Sequence, residues 1–498
     1  MSFRAVLGLL LATASLAAGQ PQRVEESSGI PARPEDLVFN ELHFVVPNGN
    51  DYQHRLSNGV VVYVAEDHTL PLVRLGIQLR EGGYLDPPGK IGLAALTGGL
   101  IRTGGTESSS PGDFDEQVEF LAASLSSYGG DAQAGARLSC ITPVLDDSLE
   151  LFFDMLRHPR FDAERLAIEK GNVLEQMRQR NDDADDILGR EWGFLLYGKD
   201  HYSSRRMTES DLESISRDDI VTFHEAYWRP ENMIVTVSGD VDTDGILKTL
   251  ETYLRDWPGR GADNHWPPPE PTHSPVPGVY YVEKDIPQGK VRIGHLVPQW
   301  SDWTNPDRAA IQVMDEILGS SGFTSRIVKR VRSDEGLAYS ARSNFSFDPL
   351  EPGTFTISFQ SKNATVALAA QIALEEVRRM QAEPVSDEEL TIAKNSLVET
   401  FPRRFESAAQ IASIFSTDSF YGRSHDYWQR WRSEVESVTT DDVLRVSKSY
   451  LHPDDVVFLI VGKWDEIAPG DPDGRASMKE FFGGEVTHLP LRDPLTLE

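Results

Sequence analysis

Hydrophobic, β-branched runs stand between polar stretches at "GVVVYVAED" (59–67) and "PLVRLGIQLREG" (71–82). Such runs read as strands. A polar turn joins the two runs, which predicts a β-hairpin. "KIGLAALTGGLIRTG" (90–104) follows as a short helix ending near Gly104-Gly105, and Asp113 is read as the cap of a helix holding "FDEQVEFLAAS". "GDAQAGARLSCITPV" alternates as a strand. "DDSLELFFDMLRH", "DAERLAIEKGNVLEQMRQR" and "SRDDIVTFHEAYW" carry helical spacing, and "MIVTVSGD" closes the run as a strand. Strands, then helices, then a closing strand predict an α+β layer, a mostly antiparallel sheet with helices on one face.

The pattern occurs twice. "SRDDIVTFHEAYWRPENMIVTVSGD" (216–240) aligns without a gap on "TTDDVLRVSKSYLHPDDVVFLIVGK" (439–463). Asp218-Asp219 meets Asp441-Asp442, Tyr227 meets Tyr450, Pro230 meets Pro453 and Gly239 meets Gly462, each pair 223 residues apart. "FDAERLAIEK" (161–170) parallels "VSDEELTIAK" (385–394), and "VRLG" (73–76) parallels "VRIG" (291–294). Two homologous units are therefore expected, residues 45–257 and 279–470. Between them, 258–278 has six prolines from Pro267 onward and reads as a stiff, extended linker. Residues 471–498 are left as a C-terminal tail.

Residues 1–19 read as a signal peptide: Arg4, an apolar stretch "AVLGLLLATASLAA", and small residues at Ala17 and Gly19. Cleavage after Gly19 would make Gln20 the mature N-terminus, with 20–44 as an extension. No cysteine follows the cleavage site, so no lipid anchor is expected, and no later stretch is long enough to cross a bilayer. Cys140 is the only cysteine in 498 residues. It is expected as a buried small hydrophobe, with no internal disulfide and no cysteine-based zinc site. An exported chain without disulfides suits a bacterial periplasm. The net charge of −30 argues against nucleic-acid binding and against anionic membranes, since either needs a basic face.

"PPGKIGLA", "TGGT", "VLEQMR", "YWRPENMIVTVSGDV" and "SRIVKRVRSDEGLAYSARSNF" occur in this order. With the duplication, they make the chain resemble the pitrilysin family of zinc peptidases, which includes mitochondrial processing peptidase and insulin-degrading enzyme. The resemblance implies two tandem α+β domains forming half of a clamshell around a peptide-sized cavity. Active members carry H-x-x-E-H on the helix after "GLA". Its two His hold zinc from one helix face, its Glu is general base, and a distant Glu is the third ligand.

Here the ligand positions are Ala95 and Gly99, and the base position is Gly98. The distant ligand aligns with Gln176, with Glu175 as its neighbour. Neither Glu175 nor Glu169 could hold zinc alone, so no metal is expected in this chain. Two adjacent glycines also weaken a helix interior by roughly 1 kcal/mol each. A near-miss, "HEAYW" (224–228), has Trp228 in place of a second His and is read as a helix-surface His224.

In the second unit the family places an Arg and a Tyr seven residues apart, reaching toward the first unit's zinc site. They bind substrate backbone and stabilise the tetrahedral oxyanion. Arg332 and Tyr339 match. "GSSGFTSR" (319–326) stands where some members carry a glycine-rich substrate loop, so Gly319 and Gly322 are candidates for substrate contact, with a plain helix-joining turn as the other reading. In heterodimeric members one subunit bears zinc and the other supplies Arg and Tyr in trans. The resemblance thus implies a non-catalytic subunit with a zinc-bearing pitrilysin-type partner and a peptide substrate. The alternatives are a non-proteolytic scaffold and a peptide-binding protein of the same fold.

Overall fold

Each repeat builds one six-stranded sheet in the computed structural model, which describes residues 44–257 and 261–498. The expected signal peptide and nearly all of the N-terminal extension lie outside the described residues, as do 258–260. The first half contributes β1 (Gln53–Arg55), β2 (Val61–Glu66), β3 (Leu72–Leu79), β4 (Ser124–Gly129), β5 (Ala134–Ile141) and β6 (Met233–Gly239), in the order β1-β2-β6-β3-β5-β4. The second contributes β7 (Gly278–Glu283), β8 (Gln288–Leu296), β9 (Ala338–Phe345), β10 (Thr354–Lys362), β11 (Val457–Gly462) and β12 (Val486–His488), in the order β12-β7-β11-β8-β10-β9. The orders correspond strand for strand, except that β12 from the chain's end takes the place of β1. Val486–His488, within the expected tail, are therefore part of the second sheet.

The expected hairpin of β2 and β3 does not form. β6 runs between them, with Val237 opposite Val64 on one side and Leu75 on the other. β11 likewise runs between β7 and β8, with Leu459 between Tyr280 and Arg292. Five of the seven residues of β6 and all six of β11 are buried. Such a strand gains most from a central place with both faces covered.

The first half's helices are α1 (Leu93–Thr103), α2 (Pro111–Phe120), α3 (Leu145–Arg157), α4 (Ala163–Arg178), α5 (Ala184–Tyr197), α6 (Glu209–Ser214), α7 (Arg217–Tyr227) and α8 (Thr243–Leu254). The second half's are α9 (Asp307–Asp315), α10 (Val366–Ala382), α11 (Asp387–Thr400), α12 (Ala408–Tyr421), α13 (Tyr427–Ser437) and α14 (Thr440–Tyr450). Ser110, and not Asp113, caps α2: its hydroxyl accepts the Asp113 amide. The duplicated acidic pairs explain themselves locally. Ser216 and Asp219 form a capping box on α7, and Thr439 and Asp442 form the same box on α14.

One face of each sheet carries its own half's helices. In the first half Leu96, Leu100, Phe152, Phe153, Ile220 and Leu250 share a core with the β-strands. Part of the opposite face is covered by a helix from the other half. On α5, Ile187, Leu188, Trp192 and Leu196 pack with Val282, Val457, Leu459 and Val461 of the second sheet. On α12, Ser419 Oγ stands 2.5 Å from the Tyr63 hydroxyl of β2, and Arg80 after β3 donates to the carbonyl of Ser419 at 2.7 Å. α5 and α12 sit 224 residues apart, so the exchange is reciprocal and repeat-related. Each large apolar side chain buried this way contributes roughly 1.5–3 kcal/mol by leaving water.

Residues 261–277 form neither helix nor strand. Trp266 lies edge-on to Phe420 of α12. After β12, Arg492 pairs with Glu191 of α5 at 3.1 Å, which ties the chain's end back to the first half.

Candidate functional site

α1 carries the positions where active pitrilysin relatives hold zinc. Asp86 caps it, its carboxylate accepting the amides of Gly92 at 2.6 Å and Ala94 at 2.8 Å. Burial pushes the Asp86 carboxyl up to about 6, against those two amides and Arg205. Ala95 is exposed and Gly99 half-exposed, with nothing within 4 Å of a Cβ built on Gly99. Gly98 is buried against β4. A Cβ there would stand 2.8 Å from Gly129 Cα and overlap the Gly129 amide nitrogen outright. A Cβ on Gly129 would in turn lie 2.7 Å from the carbonyl carbon of Ala94. Ser127 seals the contact by donating to the Gly98 carbonyl at 2.6 Å. Backbone of β4 thus occupies the space that a general-base side chain would need. The two glycines that weaken α1 as an isolated helix allow it to pack on the edge strand.

The distal position offers no replacement. Gln176 is exposed on α4 and lines a cavity of about 410 Å³ with Val173, Met177 and Arg180. Glu175 is exposed and engaged by Gln179 at 3.0 Å. No cluster of three or more His, Cys, Asp or Glu among the described residues is arranged to hold a metal.

His224 corrects a sequence expectation. It is buried, with Nε2 donating to the Leu156 carbonyl at 2.9 Å, and burial holds its pKa down at about 4. The α7 face that carries it is turned into the core, where its ring meets Phe161 and Trp228. Cys140 is buried on β5 as expected.

The structure brings Arg332 and Tyr339 together. Arg332 lies in a wide π-helical segment, Val328–Asp334, and Tyr339 is on edge strand β9, 84% exposed. The Arg332 guanidinium carbon lies 4.6 Å from the Tyr339 ring centroid and 4.5 Å from that of Phe323. The cation is held between two exposed rings, a geometry worth about 0.5–1 kcal/mol at the surface. Phe323 was not singled out in the sequence; an aromatic in the middle of a Gly/Ser loop was the available signal.

The two loop glycines separate. Gly322 is exposed at the loop, with open space where a Cβ would be. Gly319 is buried within a π-helical turn, Glu316–Ser320, and packs on β9, where a Cβ would meet the Ser343 amide at 2.5 Å. It serves the close approach of a helix to an edge strand, as Gly98 does in the first half, and so does not present its backbone to a substrate.

Residues 214–397 match the model of the Peptidase M16 inactive domain, a span that includes Arg332 and Tyr339. Over 406 residues, 81% of this chain and 91% of the relative, the sequence is 25% identical to a protein named non-peptidase homolog YmxG from Helicobacter pylori. The chain thus resembles pitrilysin-type M16 proteins over this span and lacks the zinc motif of their active members. The crystal structure of a peptidase M16 inactive domain from Pseudomonas fluorescens superposes on this chain with a TM-score of 0.72. That likeness covers 82% of this chain and 97% of the other, at 22% identity. The periplasmic protease PqqL from Escherichia coli gives a TM-score of 0.70 at 15% identity, covering 86% of this chain but 48% of PqqL. No helix among the described residues is long and apolar enough to cross a membrane.

Proposed function

We propose that this chain is the non-catalytic, substrate-binding subunit of a heterodimeric zinc peptidase and supplies Arg332 and Tyr339 to its partner's active site. The observation that carries the reading is the stacked Arg332–Tyr339 pair, held at the protein surface while the zinc positions of the same chain have no ligands. Arg332 offers a fixed fork of N–H donors to a peptide carbonyl, and Tyr339 one hydroxyl to a developing oxyanion. Zinc belongs to the partner. The segment 1–19 directs the chain to a bacterial periplasm, the compartment named for PqqL.

The test is co-expression with a pitrilysin-type subunit carrying H-x-x-E-H, followed by peptide-cleavage assays on the purified complex. Tyr339→Phe deletes one hydroxyl and keeps the ring that Arg332 stacks on. Losing one oxyanion donor costs about 10²–10³ in turnover, so kcat falls while the subunits still co-purify. Unchanged cleavage of several peptides by that variant would leave the non-proteolytic scaffold as the better reading.

A peptide-binding protein acting without a zinc partner is the other reading. It is favoured by the start of edge strand β9, where Tyr339 and Ser340 are exposed and an extended peptide can be added; further along, the Phe345 amide is already bonded to Asp315.

A further inference from the structure

The strand register puts two arginines in one row across the second sheet. Arg292 of β8 is opposite Ser358 of β10, and Ser358 is opposite Arg342 of β9. Adjacent strands lie about 4.8 Å apart, so the two arginine backbones are about 10 Å apart with one small side chain between them. On the far side Leu459 of β11 continues the row and is covered by α5. Further across the row Arg292 and Ser358 are half-buried and Arg342 is exposed.

These three residues line a trough of about 990 Å³. Trp192 and Leu188 of α5 form one wall; the floor is Arg292, Arg342, Thr356, Ser358 and Gln360. Its lining includes three cations, Lys290, Arg292 and Arg342, against one carboxylate, Asp185. That balance reverses the chain's own, which has 78 acidic and 48 basic residues.

The one carboxylate is already engaged, because Lys290 holds Asp185 at 2.8 Å. Neither Arg292 nor Arg342 has an ion pair among the described residues; Arg342 makes one hydrogen bond, a long one of 3.4 Å to Ser358 Oγ. Burial lowers the pKa of Arg292; Asp185 opposes this and the charge of Arg342 adds to it. Asp185 thus acts on Arg292 while its ion pair goes to Lys290, and neither guanidinium has a carboxylate within ion-pair distance among the described residues.

The first half repeats part of this arrangement. Arg74, which aligns with Arg292 through the "VRLG" and "VRIG" segments, is opposite Ser139 as Arg292 is opposite Ser358. Arg74 is exposed and without an ion pair among the described residues. Ser124 stands across from Ser139, where the second half has Arg342. The arginine–serine pair is thus common to both repeats, and the second guanidinium belongs to the second half.

We infer that the trough between α5 and the β8-β10-β9 face is a carboxylate-binding subsite that selects extended peptide segments bearing acidic groups, with Arg292 and Arg342 as the recognising residues. A guanidinium presents two parallel N–H donors that match a carboxylate, and such charge-assisted bonds are the stronger class. The Ser, Thr and Gln side chains of the floor offer donors and acceptors to a peptide backbone without imposing a sequence. The inference rests on the peptide-binding reading of this protein and not on the zinc-bearing partner, so the isolated full chain suffices to test it.

The probes are fluorescein-labelled peptides of about ten residues, long enough for an extended chain to cross the trough. One set carries two Glu side chains and an amidated C-terminus. A second has Gln at those positions and is also amidated; a third has Gln and a free C-terminal carboxylate. Fluorescence anisotropy should show the Glu peptide binding about tenfold or more tightly than the amidated Gln peptide at low salt, with the gap closing as salt rises. R292Q/R342Q should bring the two amidated peptides to the same affinity, and R342Q alone, at an exposed position of an edge strand, should remove a measurable part of the preference. Gain by the third peptide over the second assigns the site to a terminal carboxylate; gain by the first alone assigns it to side chains. Equal binding of all three, or an unchanged preference in R292Q/R342Q and R342Q, would overturn the inference while leaving peptide binding intact. No binding of any peptide would overturn both.

Discussion

Gly98 and Gly129 pack backbone against backbone, and neither can carry a side chain without moving α1 off β4. This contact stands where active relatives keep their general base. Restoring the motif by Ala95→His, Gly98→Glu and Gly99→His together is therefore expected to destabilise the protein without creating a zinc site. Gly98→Ala alone should cost about 1–3 kcal/mol through overpacking, despite alanine's better helix propensity. Urea unfolding measures the loss. Metal analysis of the triple variant should find less than one equivalent of zinc, and a stoichiometric, tightly held ion would show that α1 can be lifted from the strand.

The reciprocal placement of α5 and α12 should make the two halves unfold together. Trp192 of α5 is buried against the second sheet, 6% exposed. Trp192→Ala removes most of that contact and should cost about 3–5 kcal/mol. Wild-type protein is expected to show one cooperative transition by fluorescence and by circular dichroism. Two separated transitions in the wild type would mean that the exchanged helices do not couple the halves.

Phe323→Ala tests the platform around Arg332 separately from the hydroxyl of Tyr339. Phe323 is 67% exposed, so its removal should change stability by less than about 0.5 kcal/mol. Cleavage by the reconstituted complex should fall, because Arg332 loses one of its two stacking partners. Unaltered cleavage would assign the positioning of Arg332 to Tyr339 alone.

His295 should make the protein less stable in mild acid. Its Nδ1 donates to the Leu296 carbonyl at 2.9 Å, and its Nε2 accepts the His452 amide at 3.1 Å, which requires a neutral ring. Burial depresses its pKa to about 4, with the charge of His452 adding to the effect. The unfolded chain takes up the proton first, so stability is lost as pH falls from about 6.5 toward 4, by on the order of 2–3 kcal/mol for this residue. His224, also held near 4, acts in the same window. Buried carboxyls raised to about 6, such as Asp86 and Asp315, act in the opposite sense, so the test is a difference: urea unfolding at a series of pH values should show less acid destabilisation in His295→Gln than in the wild type, and an identical pH dependence would place the acid sensitivity elsewhere.

The sequence by itself determined the duplication, four strands and five helices of the first unit, and the absence of zinc ligands at Ala95, Gly98 and Gly99. These follow from residue identity and from period, which are local properties. Period two tells that Val62 and Val64 share a face with a core, but not that β6 lies between β2 and β3. That choice depends on which strand gains most from a central position, and only the assembled sheet makes the comparison. Helix α5 was not read from the sequence, and its apolar face covers the other half's sheet, a contact that no local pattern announces. Gly98 read as a loss from a motif until β4 was seen against it, because close backbone approach leaves no side-chain signature. His224 read as a surface residue because no second His completes a motif with it, while its neighbours in space are Phe161, Leu156 and Trp228. The Arg292–Ser358–Arg342 row is the clearest case. Its members are scattered over 67 positions of chain, and only strand pairing, which is set by long-range packing, puts them side by side.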